Sequence, residues 1–99
     1  MAFCKPVDWT ELALDDLNNI VNYLQVNWNS AVIENFILLT ERTLEFISCY
    51  PKMYRMVNKG KRVRRCVLTS QNSLYYRVFK GRIQVIRIYD NRRKPISIS

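Results

Sequence analysis

Arg92, Arg93 and Lys94 close the stretch RIYDNRRKP, residues 87–95, directly behind an apolar, strand-like run. Arg64 and Arg65 stand in RVRRCVL (62–68), Arg77 in LYYRVF (74–79) and Arg87 in RIQVIRIY (82–89). A guanidinium offers a planar fork of N–H donors that matches a phosphate or a carboxylate. Such residues can hold an anion, take part in catalysis, or keep the chain in solution. Histidine is absent, which removes the commonest general base near neutral pH. Catalysis would then rest on Tyr, Arg, Lys or carboxylates, and no nucleophile triad, phosphate loop or acid pair is visible. The three cysteines, Cys4, Cys49 and Cys66, include no CxxC. Without histidine they make no zinc set. Their odd number and lack of a pairing pattern read as buried or half-buried thiols, not as a disulfide framework. No metal and no cofactor is expected.

The charges are divided along the chain. Residues 1–50 carry Lys5 and Arg42 against seven carboxylates, a net −5. Residues 51–99 carry fourteen Lys and Arg against Asp90 alone, a net +13. A half so basic points to something acidic: nucleic acid, an acidic protein segment or a membrane surface. The plain alternative is a solvated basic face. The start, MAFCKPVDW, has no long apolar core of a leader, and no apolar run nears the roughly 20 residues that cross a bilayer. The expectation is one domain over residues 1–99, in the cytoplasm, with no membrane partner.

The elements that must position these residues follow from spacing. Residues 2–8 suit a short strand, and Pro6, which lacks an N–H, places it at an edge or bends it. Over 10–27, Ala13, Leu17, Ile20, Leu24 and Trp28 form one helical stripe. Thr10 caps that helix, and Glu11, Asp15 and Asp16 suit the positive end of its dipole. Asn29 or Ser30 caps a second helix over 31–48. Its apolar surface is wide: Val32, Phe36, Leu39, Thr43 and Phe46 make one stripe, and Ile33, Ile37 and Leu44 another. It reads either as a well-buried helix or as one with a face left for a partner.

After Pro51 the pattern turns to strands at 62–68, 74–79 and 82–89, with Lys80-Gly81 a two-residue hairpin turn. The fold class is α+β, in the order β-α-α-β-β-β. It is a helical hairpin packed on a small, mainly antiparallel sheet. Strict alternation puts Leu74, Tyr76 and Val78 on one face, and Tyr75, Arg77 and Phe79 on the other. The same rule sets Arg87 with Ile83, Val85 and Tyr89. Arg77 and Arg87 then either snorkel off the sheet or offer forks to phosphates or carboxylates. Lys59, Lys61, Arg62, Arg64 and Arg65 could form one continuous basic surface with Arg92, Arg93 and Lys94, with interleaved tyrosines to stack on bases.

Five pieces in order resemble the RelE/ParE toxin superfamily of bacterial toxin–antitoxin modules. They are V-D-W-T-x-x-A-x-x-D-L-x-x-I-x-x-Y-L (Val7 to Leu24), F-I-S-C-Y-P (Phe46 to Pro51) and G-K-R-V-R-R (Gly60 to Arg65). L-Y-Y-R-V (Leu74 to Val78) and V-I-R-I-Y-D-N-R-R-K-P (Val85 to Pro95) complete the set. The resemblance implies a helical hairpin on a small, mostly antiparallel sheet. It implies one of two activities. RelE-like members cleave mRNA on the ribosome. ParE-like members inhibit DNA gyrase and are not known as nucleases.

As a nuclease the chain would use Arg64, Arg65, Arg92 and Arg93. Ser73 stands nearest to the place of a further strand arginine of RelE-type enzymes, and the C-terminal tyrosine and late histidine of other branches are missing. These departures favour the ParE side, where L-Y-Y-R-V and D-x-R-x-x-P are typical. The resemblance implies a cognate antitoxin as partner, expected to be acidic and partly disordered. It would wrap Phe36, Ile37, Leu44, Tyr75 and Arg77. The target, gyrase or alternatively the ribosome with its mRNA, would meet Arg64, Arg65, Arg77, Arg87, Arg92 and Arg93.

Overall fold

Thr10 closes the first strand and opens the first helix. Its side-chain oxygen accepts from the Ala13 N–H, and its hydroxyl donates to the Ile86 carbonyl, each at 3.1 Å. One residue thus caps a helix and ties it to a strand 76 positions further on. The structure is a computed structural model that describes residues 3–91. It runs β1 (Val7–Trp9), α1 (Glu11–Asn27), α2 (Ser30–Cys49), β2 (Met56–Asn58), β3 (Val63–Val67), β4 (Asn72–Phe79) and β5 (Arg82–Asp90).

Two helices pack on a five-stranded mixed sheet of order β1-β5-β4-β3-β2. β1 is parallel to β5 and every other pair is antiparallel. This is the α+β hairpin-on-sheet fold expected from the sequence, with one strand more. β2 has only three residues and pairs with β3 across an irregularity, too short for any alternation to show. β1 begins at Val7, after Pro6, and lies at an edge as that proline demands. The Pro6 carbonyl accepts from the Ile83 N–H at 3.0 Å.

The helices take the caps read from the sequence. Thr10 caps α1, and the Asn29 side chain accepts from the Val32 N–H at 3.1 Å to cap α2. On α1, Ala13 is fully buried, while Leu17, Ile20 and Leu24 pack against the core. Trp28 leaves the stripe, because the helix ends at Asn27 and the ring is 61% exposed. On α2 the buried line is Phe36, Thr40, Leu44, Ile47 and Ser48, and neither expected stripe matches it in full. Two polar residues lie in that line because they satisfy themselves. Thr40 donates to the Phe36 carbonyl at 2.9 Å and Ser48 to the Glu45 carbonyl at 2.7 Å. Ile37, Leu38, Leu39 and Phe46 are left exposed.

The face under the helices carries Cys66, Leu68, Leu74, Tyr76, Ile83, Val85 and Ile88, and a second cluster joins Val63, Tyr75 and Ile86, with Tyr89 against it. Strict alternation fails in β5. Tyr76 pairs with Val85 but Tyr75 pairs with Arg87, so Ile86 is an extra residue, a bulge. Ile86 therefore joins the second cluster, Ile88 returns to the first, and Arg87 parts from Ile83 and Val85. Gly81 turns the β4–β5 hairpin at φ 83°, a conformation open to glycine at little cost.

The expectation of three thiols is corrected. Cys4 and Cys49 form a disulfide, with Cα atoms 4.9 Å apart, and only Cys66 is free. The two meet because the segment leading into β1 runs past the end of α2, where the Cys4 N–H donates to Ser48 Oγ at 3.0 Å.

Candidate functional site

Three arginines read as candidates are held by the chain itself. Arg64 Nη1 donates to the Tyr54 carbonyl at 2.7 Å and to the Lys52 carbonyl at 3.3 Å. It fastens the loop between α2 and β2. Arg65 Nε donates to Ser73 Oγ at 3.0 Å and its Nη2 to Asn91 Oδ1 at 3.2 Å. The Ser73 hydroxyl also donates to Asn91. Asn91 Nδ2 reaches the Thr69 and Ser70 carbonyls, and its N–H donates to the Gln71 carbonyl at 2.7 Å. So the end of β5, where Arg92 and Arg93 follow, is tied to the β3–β4 turn.

Arg87 grips Asp16 of α1 with two prongs, Nε to Oδ2 at 2.7 Å and Nη2 to Oδ1 at 3.0 Å. The Ile88 N–H donates to the same carboxylate at 3.0 Å. The Asp16 hydrogen bond, stronger than the opposing effect of burial, pushes the Arg87 guanidinium still higher than usual. The Arg87 side chain also lies 5.3 Å from the Tyr89 ring centroid.

Arg77 differs. It faces Val63 across the β3–β4 pair, and its Nε is buried with no hydrogen-bond partner among the described residues. The tyrosines expected to stack on bases are largely enclosed: Tyr76 is 0% and Tyr75 9% exposed. Tyr76 donates to the Pro51 carbonyl at 2.8 Å. Burial raises the Tyr76 hydroxyl and the Cys66 thiol, and pushes the neighbouring Tyr54 up to about 12. All three stay protonated near neutral pH, so none acts as a resting base there. Among the described residues, no three His, Cys, Asp or Glu side chains gather for a metal, and no helix is long and apolar enough to cross a membrane.

The residues assigned to the antitoxin are spread over different surroundings. Phe36 and Leu44 are buried, Ile37 is exposed, and Tyr75 and Arg77 lie on the sheet. A groove of about 410 Å³ brings Ile37 and Leu44 together with Phe3, Val7, Trp9 and Leu17. Arg92, Arg93 and Lys94 lie outside the described residues. Three residues of these contacts, Asp16, Ser73 and Asn91, were not singled out as site residues from sequence. Asp16 read as a helix-dipole carboxylate, and nothing in the spacing pairs it with Arg87 or Ser73 with Asn91.

The chain is thus a helical hairpin on a five-stranded mixed sheet whose later strands carry the arginines. The chain belongs to the family described as the ParE toxin of the type II toxin–antitoxin system parDE, which matches residues 7–95. Solved structures share the fold. A chromosomal ParDE system from P. aeruginosa aligns at TM-score 0.71 and 19% identity over 90% of this chain and 98% of that one. A conserved hypothetical protein from Helicobacter pylori aligns at TM-score 0.56 and 18% identity over 88% and 94%. A copper-bound mutant toxin from Helicobacter pylori gives TM-score 0.52 and 16% identity, again over 88% and 94%. A search of curated protein sequences found no match.

Proposed function

We propose that this ParE-type toxin inhibits DNA gyrase and is neutralised by an acidic, partly disordered antitoxin. The observation that carries the choice of gyrase over mRNA cleavage is the engagement of Arg64 and Arg65. A nuclease would need those forks on the scissile phosphate. Here one holds two backbone carbonyls and the other holds Ser73 and Asn91. Ser73 stands near the place of a catalytic arginine, and the chain has no histidine. Arg92 and Arg93 then contact the target, while Arg87 positions β5 through Asp16.

The antitoxin reading rests on the apolar groove with Ile37 and Leu44 on its wall, beside the exposed Leu38 and Leu39 of α2. A segment that folds on binding can cover such a surface, with Arg77 and the Tyr75 region of the sheet receiving its acidic part. The chain works in this reading as one domain over residues 1–99, in the cytoplasm, without cofactor. Purified protein should block gyrase supercoiling and leave ribosome-bound mRNA intact, and cleavage of mRNA in the ribosomal A site would overturn the reading. Co-expression with the adjacent small open reading frame should give a complex of sub-micromolar affinity, about −8 kcal/mol or stronger. A toxin that stays unpaired in that experiment would remove the antitoxin part.

A further inference from the structure

Between β2 and β3 the chain turns through Lys59-Gly60-Lys61-Arg62. Asn58 Oδ1 accepts the Lys61 N–H at 3.0 Å, and the Arg62 N–H donates to the Lys59 carbonyl at 3.3 Å. The turn holds Arg62 at φ 58°, the left-handed region, which is costly for a side chain of its size. Beside the turn, Lys61, Arg62, Arg77, Val78 and Phe79 line a half-open cavity of about 370 Å³.

Three cations face one hollow whose lining includes no carboxylate. Residues 51–89, which include β2, β3, β4 and all of β5 but Asp90, contain neither Asp nor Glu. Asp90 lies at the other end of β5, opposite Asn72 and not beside the Phe79–Arg82 end. The buried Arg77 Nε–H has no acceptor among the described residues. A buried donor without an acceptor is unfavourable, and an oxyanion in the hollow would satisfy it.

We propose that this cavity is a binding site for a phosphate group carried on a small organic body, a phosphomonoester or a diphosphate. Charge decides between phosphate and carboxylate. A carboxylate brings one negative charge to three cations, whereas a phosphomonoester brings about −1.5 to −2 near pH 7. Size decides against a bare ion. A hollow of this volume falls within the usual range for small-molecule sites, and Val78 and Phe79 supply an apolar wall for the rest of the ligand. The strained Arg62 fits the same account, because strain of this kind persists where it aims a group at a ligand. The site shares Arg77 with the antitoxin surface proposed above and stands without the gyrase reading.

The test is titration of the full chain with pyrophosphate, and with acetate and chloride at matched ionic strength, followed at the arginine Nε–H signals by NMR. Pyrophosphate should move the Arg77 signal and bind at least tenfold more tightly than acetate. Lys61→Gln should weaken pyrophosphate binding about tenfold, the loss of one charge-assisted contact. Arg62→Gly should weaken it by a similar factor while raising the melting temperature, because glycine adopts that φ without strain. These two exposed positions keep the test open if Arg77→Gln fails to fold. Acetate binding as tightly as pyrophosphate would overturn the phosphate assignment. An Arg77 signal that responds to pyrophosphate no more than to chloride would overturn the site, as would unchanged affinity in both variants.

Discussion

The β1–β5 side of the sheet and the hollow beside the β2–β3 turn handle their cations in opposite ways. At the β1–β5 edge, arginines of the last strand meet carboxylates from the first sixteen residues. Arg82 reaches Asp8 at 2.9 Å and Arg87 grips Asp16. At the β2–β3–β4 side, Lys61, Arg62 and Arg77 line a hollow with no acid in its wall. The cause is topological. The acidic half of the sequence contributes β1, which inserts beside β5, and three strands separate it from β2. Charge separation along the sequence thus becomes charge separation in space. Matched cations fasten β1 and α1 to β5, and Lys61, Arg62 and Arg77 remain for something outside the chain.

The comparison can be broken or sharpened in steps. The largest expected effect is covalent. The Cys4–Cys49 bridge closes a span of 45 residues that includes both helices. The loop-entropy relation for that span gives about 4 kcal/mol. Urea unfolding with and without a dithiol reductant should show a lower midpoint after reduction, and a Cys4→Ser, Cys49→Ser double variant should be insensitive to the reductant. Next comes Asp16→Ala, which strips Arg87 of both prongs and the Ile88 N–H of its acceptor. It should cost about 3 kcal/mol, read as a midpoint shift at unchanged slope. Asp8→Ala should cost about 0.5 kcal/mol or less, since that pair is exposed on both sides. A loss at Asp8 equal to that at Asp16 would erase the distinction between a half-buried clasp and a surface pair.

A further effect is a dependence on alkaline pH. Tyr54 titrates at about 12 in the fold against 10.0 without it, chiefly through burial. The unfolded chain therefore loses this proton first. Stability from this group is whole below pH 10 and falls as pH rises from 10 towards 12. Tyr54→Phe should flatten that decline in melting temperature, and an unchanged decline would show that Tyr54 is not its source.

Much of the architecture was legible because periodicity reports it directly. The helix bounds, the Thr10 and Asn29 caps, the Gly81 turn and three of the five strands follow from local residue types. Legibility ended where a feature depends on contacts far apart in sequence. Asp16 and Arg87 are 71 residues apart, so the carboxylate read only as a dipole partner. The bulge at Ile86 hides in a run that also reads as regular alternation. Its effect is that Ile88 shares the face of Val85, three residues before it, which regular alternation forbids. Thr40 was missed in the α2 core because its hydroxyl satisfies itself within the helix. The disulfide leaves no local sign, since one pair among three cysteines forms no pattern. The candidate arginines were legible as cations, but whether each fork is occupied depends on the fold.

The difference between the two regions is tested most directly by melting Arg87→Gln and Arg77→Gln side by side, at low and high salt. The account predicts a drop of several degrees for Arg87→Gln, the scale expected when a small domain loses 1 kcal/mol or more, because Asp16 is left half-buried without its partner. It predicts an unchanged or higher melting temperature for Arg77→Gln, because a buried Nε–H without an acceptor is removed. High salt, which screens like charges, should narrow that gain. An Arg77→Gln variant that loses as much as Arg87→Gln would contradict the account, since the unmatched cation of the hollow would then be structural too.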